Sequence, residues 1–213
     1  MARNKNLGGA LLSVLLFTAI GFLGAAEQCD SQSCGKTLRK SLKLTRVTLK
    51  NAEALLETYK KSQGDFAELY CQMAMENIPG SSISGQVSSE RMVNVYTRLK
   101  EFLPHLKMVA EQQTEMQIPS HSLFNELTEV QDRTGHVSFK VNCLLQILMP
   151  NMPIPEPPKP TGLPPSLNYF QKKVYGCVVL TRLKEFLMQT AQELRTHKDK
   201  MCMHRTPRLS QNY

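Results

Sequence analysis

PNMPIPEPPKPTGLPP, residues 150–165, holds eight of the chain's twelve prolines. Such a run has neither the amide donors nor the backbone freedom for a helix or a central strand, so it is extended and polyproline-like. At ~3.1 Å per residue it spans about 50 Å, the length of a helix with roughly twice as many residues. Its flanks decide whether it is a linker or a crossover. Upstream, Leu123, Leu127, Val130, Thr134, Val137, Val141, Leu144 and Leu148 recur at alternating three and four, the spacing of one helical face. Downstream, Tyr169, Gly176, Leu180, Leu183, Leu187, Ala191 and Leu194 follow the same period. A single helix has no core of its own, so the downstream stretch must return to the same domain, and the run is a crossover.

Two earlier stripes complete the set: Leu38, Leu42, Thr45, Leu49, Ala52, Leu56 and Tyr59, then Met92, Val95, Leu99, Phe102, Leu106 and Val109. The patterns predict helices A to D over about 36–61, 89–115, 121–149 and 167–198. Ser88-Ser89, Ser120 or Ser122, and Ser166 are the candidate caps. Pro104 should bend B, and Gly135 weakens C. About five residues around Ile118-Pro119 join B to C, which forces these two antiparallel. A to B is joined by a long segment, about 62–88, rich in Gly and Ser. Two long crossovers around one tight turn define an all-α four-helix bundle of the long-chain type, up-up-down-down. Leu42, Leu49, Leu99, Leu127, Leu144, Leu180 and Leu187 are expected in its core.

The first 26 residues stand outside that domain. Arg3 and Lys5 precede an apolar run from Gly8 to Leu23 broken only by Ser13 and Thr18, and Gly24-Ala25-Ala26 follows. This is the order of a secretory signal, with cleavage expected after Ala26 and the domain occupying 27–213. All six cysteines, Cys29, Cys34, Cys71, Cys143, Cys177 and Cys202, lie beyond that point. An even count in an exported chain argues for disulfides; six thiols allow 15 pairings, and spacing cannot choose among them. With 213 residues, 41% hydrophobic content and 11 Gly, disordered and collagen-like classes are excluded.

No catalytic, cofactor or metal-binding pattern stands out. The five histidines are scattered, and Cys202-Met203-His204 is a poor ligand set. Gly80-Ser-Ser-Ile-Ser-Gly85 has the wrong register for a nucleophile elbow and no preceding strand. An enzyme is therefore not expected. Basic residues cluster twice: Lys36, Arg39, Lys40, Lys43, Arg46 and Lys50 precede any acid on helix A, and Arg195, Lys198, Lys200, Arg205 and Arg208 close the chain as a basic tail. The functional reading is weak retention on extracellular polyanions; the plainer one is a solvated helix face and tail, given a net charge of only +8. Without interleaved aromatics, nucleic acid is not a partner. No Asn-x-Ser/Thr acceptor occurs.

A secreted, cross-linked helical bundle without a catalytic site acts through its surface. Phe170-Gln-Lys-Lys-Val-Tyr-Gly-Cys177 resembles the start of the last helix in the leukaemia inhibitory factor and oncostatin M branch of the interleukin-6 cytokines. Cys34 ahead of Leu38, and Val141-Asn142-Cys143 late in helix C, fit the same branch. The resemblance implies a monomeric secreted cytokine that cross-links the shared signal-transducing receptor of that family with a leukaemia-inhibitory-factor-type or oncostatin-type receptor, and so starts kinase signalling inside the cell. It implies the pairs Cys34–Cys143 and Cys71–Cys177, which leaves Cys29 with Cys202. It places the specific receptor's contact on the F-x-x-K residues Phe170 and Lys173, and the shared receptor on exposed positions of A and C around Ser41, Leu44, Thr48, His136 and Lys140. The family commonly has Gly and Asn where His136 and Lys140 stand. A helical carrier of lipid or another small ligand is the alternative; cross-links and proline-rich crossovers suit it poorly, since a carrier must open.

Overall fold

Apolar stripes at helical spacing leave each segment one way to hide them, which is against one another. The computed structural model describes residues 33–116, 122–151 and 166–196, with Cys29, Pro153, Leu163, Pro164 and Cys202. Its helices are α1 (Cys34–Gln63), α2 (Ala67–Gln72), α3 (Ser88–Met116), α4 (Ser122–Leu148) and α5 (Tyr169–Thr196). No strand occurs among the described residues. The expected leader, the turn around Ile118-Pro119, most of the proline run and most of the basic tail lie outside those residues.

Pairings between helices fix their directions. Ser41 meets Lys140, Asn51 meets Glu129 and Thr58 meets Glu126, so α1 and α4 are antiparallel. Arg91 pairs with Glu193 and His105 with Tyr175, so α3 and α5 are antiparallel. Tyr59 and Gln63 contact the first turn of α5, while Gln63 bonds Gln113 near the end of α3. Thus α1 and α3 run up and α4 and α5 run down. α1 packs on α4 and α5, and so does α3, giving the ring order α1–α4–α3–α5. This is the up-up-down-down bundle that two long crossovers require.

All six apolar residues of the α3 stripe are at most 1% exposed, and α3 continues through Pro104. Leu42, Leu99, Leu127, Leu144, Leu180 and Leu187 are buried as expected, but Leu49 is only half-buried. The inward arc of α1 is centred instead on Ser41, Thr45, Thr48 and Ala52. The hydroxyls of Ser41, Thr45 and Thr48 donate to the carbonyls of Thr37, Ser41 and Leu44 one turn back, at 2.9–3.0 Å. A polar side chain satisfied by its own helix can lie inside at little cost. In α5 every residue from Val174 to Leu180 is buried, because α2 covers the face that the bundle leaves open. The seven are apolar all round apart from the Tyr175 hydroxyl, as a fully covered helix must be.

Tyr59 lies across Gly176. A Cβ at that glycine would come within 2.1 Å of the Tyr59 hydroxyl oxygen, so α1 and α5 meet this closely only where a side chain is missing. The buried His105 Nδ1 and Tyr175 hydroxyl are hydrogen-bonded at 2.7 Å. Burial lowers the His105 pKa to about 4 and raises that of Tyr175.

The three disulfides are Cys29–Cys143, Cys34–Cys202 and Cys71–Cys177. Cys71–Cys177 is the pair the resemblance implies; the pairs Cys34–Cys143 and Cys29–Cys202 are not formed, and their members are exchanged. The reason is level along the bundle. Ser41 meets Lys140 at 3.4 Å. From there Cys34 is about 10 Å down α1, while Cys143 is only about 4.5 Å along α4, taking ~1.5 Å per residue. Cys34 thus lies about a turn below Cys143. Cys143 is bridged instead to Cys29, and Cys34 to Cys202.

Candidate functional site

The upper end of the bundle is built around the first turn of α5. Asn168 and Gln171 cap it reciprocally: Gln171 N–H donates to Asn168 Oδ1 at 2.8 Å, and Asn168 N–H to Gln171 Oε1 at 3.0 Å. This box starts the helix at Tyr169 and leaves Ser166 outside it. Tyr169, expected at the head of the core stripe, is 61% exposed. It stands a turn above the level where Lys173 meets the last residue of α1, so α1 offers it nothing to pack on.

Phe170 is 46% exposed, and its ring meets that of Tyr70 edge-on, with centroids 5.2 Å apart. Tyr70 belongs to α2, which the Cys71–Cys177 bridge and the buried Ala67 hold against α5. Leu69 on the same short helix, and Phe66 and Met73 flanking its two ends, are exposed large apolar side chains. Lys173 turns the other way. Its Nζ donates to the Gln63 carbonyl at 3.1 Å and lies 5.0 Å from the Tyr169 ring centroid. The cation thus satisfies a carbonyl of the last turn of α1, where a helix dipole favours positive charge. Lys172 pairs with Glu115 at the end of α3. Beneath them, the Tyr59 hydroxyl donates to Lys173 O at 3.1 Å and accepts from Gln113 Nε2 at 3.3 Å, and Gln63 Nε2 donates to Gln113 Oε1 at 3.0 Å. Burial holds the Tyr59 phenol neutral well above the usual range. Phe170 and Lys173 are therefore not a side-by-side pair: one is an apolar side chain resting on α2, the other a half-buried clamp.

The second expected surface is altered more. Ser41 and Thr48 are 0% exposed, so neither is available to a receptor; their hydroxyls bond backward within α1. Leu44 is half-buried against the core, and Lys140 is half-buried with Nζ 4.9 Å from the Phe139 ring centroid. His136 is exposed beside Asp132 and Arg133 on the outer face of α4. Of the five positions, only His136 is fully on the surface.

α2 is the element the sequence reading missed, placed in a segment read as a Gly- and Ser-rich connection. Its signal is the run Phe66-Ala67-Glu68-Leu69-Tyr70-Cys71, too short for a stripe. Among the described residues no group of three His, Cys, Asp or Glu is arranged to hold a metal ion, and no helix is long and apolar enough to cross a membrane.

Four long helices in this order and direction, two crossovers and an exposed aromatic at the head of the last helix define a long-chain helical cytokine. The sequence matches the family model described as ciliary neurotrophic factor over residues 25–210. The chain belongs to that family, within the helical cytokines of interleukin-6 type, which are signalling ligands. No curated protein and no solved structure matches it. The family found is thus broader than the leukaemia inhibitory factor and oncostatin M branch.

Proposed function

We propose that the protein is a secreted cytokine that joins the shared interleukin-6-type receptor to a leukaemia-inhibitory-factor-type or oncostatin-type receptor, and that the α5 head is its contact with the second. The observation that supports this is Phe170: a large apolar side chain, half out of the surface, on a helix buried all round from Val174 to Leu180. A rigid aromatic on a cross-linked platform loses little entropy on docking, which is what an interface hot spot needs. Lys173 acts mainly by fixing the platform. For the shared receptor, His136 with the exposed parts of Leu44 and Lys140 is the remaining candidate surface.

The test is Phe170→Ala on cells carrying the shared receptor together with either second receptor. Receptor phosphorylation should fall at least tenfold on the combination the parent uses, with helicity and shared-receptor binding unchanged. Full signalling by a folded Phe170→Ala protein would overturn the assignment.

A further inference from the structure

We infer that the outer face of α1 is a docking strip for a sulfated linear polysaccharide. Lys36, Arg39, Lys40, Lys43, Arg46 and Lys50 are all exposed, and among the described residues none forms an ion pair or hydrogen bond through its side chain. At ~100° per residue the six fall within an arc of about 120°, opposite the buried arc through Ser41, Thr45 and Thr48. Along the axis they cover about 21 Å. Glu53 is the first acid on the helix, beyond the strip. Elsewhere six basic side chains, Lys60, Arg91, Arg98, Lys107, Arg133 and Lys172, each have a carboxylate within 4 Å. Among the described residues, the basic side chains without one, such as Lys61, Lys100 and Lys184, are not gathered on one face of a single helix. Unpaired cations repel one another along α1, so the strip lowers the stability of the free protein and is relieved only by an anion.

The chemistry of the strip selects the kind of anion. Its only large apolar residue is Val47, 38% exposed. A protein interface is depleted in Lys and centres on large apolar or aromatic anchors, whereas this strip has four Lys to two Arg and no aromatic. An anionic membrane needs an apolar face beside the charges. A strip of four Lys and two exposed Arg along a rigid rod, with no aromatic anchor, suits a linear polymer carrying repeated sulfates, bound by charge and released by salt. The strip lies on a different helix from Phe170, so binding there holds the protein outside the cell while leaving the proposed α5 contact free; Leu44 of the candidate shared-receptor surface borders the strip. Only the setting rests on the proposed secretion; the binding does not.

The experiment is retention on immobilised heparin with a salt gradient, using the intact disulfide-bonded protein. Three proteins are compared: the parent; Lys36→Gln, Lys40→Gln, Lys43→Gln and Lys50→Gln combined; and a charge-matched control with Lys61→Gln, Lys100→Gln, Lys107→Gln and Lys184→Gln. Gln keeps helix propensity, and circular dichroism checks folding. The parent should elute above physiological salt, ~0.15 M, and pass through desulfated heparin. The strip variant should elute at or below physiological salt, and the control close to the parent. An equal shift in the control, elution of the parent below physiological salt, or equal retention of the parent on phosphatidylserine vesicles would each overturn the proposal.

Discussion

Gly176 shows how one missing atom sets a helix–helix distance. Adding a Cβ would drive it into Tyr59, whose ring is fixed by hydrogen bonds to α3 and α5. Gly176→Ala should therefore destabilise the protein by ~1–3 kcal/mol through overpacking, whereas Tyr59→Phe should cost ~1 kcal/mol for its lost hydrogen bonds. Denaturant titration of the two variants measures both; equal stability of Gly176→Ala and parent would show that α1 and α5 are not so close. The sequence shows Gly176 on the inner stripe but not what it faces, because the partner lies 117 positions earlier. Ser41 and Thr48 mislead for a related reason. Hydroxyls look like surface groups until a backbone carbonyl one turn back satisfies them, and that depends on which way the helix is rotated.

At the scale of the element, α3 and α5 share a titratable contact. His105 is neutral in the fold, with a pKa of about 4 from burial, against ~6.5 in an unfolded chain. As pH falls below 6.5 the unfolded state takes up this proton first. The stability His105 contributes is full above that value and is lost as pH falls to about 4. Urea titrations should show roughly 2 kcal/mol of acid loss across this window that is absent in His105→Gln; an identical pH slope in both proteins would exclude this source. Long helices were legible because their stripes are long: α3 spans 29 residues and every expected core position on it is buried. α2, with six residues, has too few turns to show a period, and it is held by packing and a disulfide rather than by its own propensity. The site was legible to the same degree. Phe170 lies off the stripe and is half exposed, but Tyr70, on the missed element, is what it rests on.

For the whole molecule, helix directions follow from connection lengths, whereas disulfide pairing depends on axial levels that connection lengths do not carry. Peptide mapping of the unreduced protein should give Cys29–Cys143 and Cys34–Cys202; recovery of a Cys34–Cys143 peptide would contradict this frame. Each of these bridges closes more than 100 residues. Replacing Cys29 and Cys143 together by Ser should lower stability by ~3–5 kcal/mol in the chain-entropy account, read as a drop in the denaturant midpoint. Receptor phosphorylation per folded molecule should hardly change, because the α5 head is held by the third bridge.

Both bridges that involve the outermost cysteines lie at the lower end, where α1 begins and α5 has finished, while Phe170 is some 39 Å away at ~1.5 Å per residue. A tether grafted outside Cys29 or beyond Cys202 therefore pulls on a covalently locked base. Immobilised through either graft, on a bead or as a fusion to a carrier, the molecule is held at the end opposite its aromatic head, and a load applied between the two grafts passes through the Cys34–Cys202 bridge without unwinding the helices.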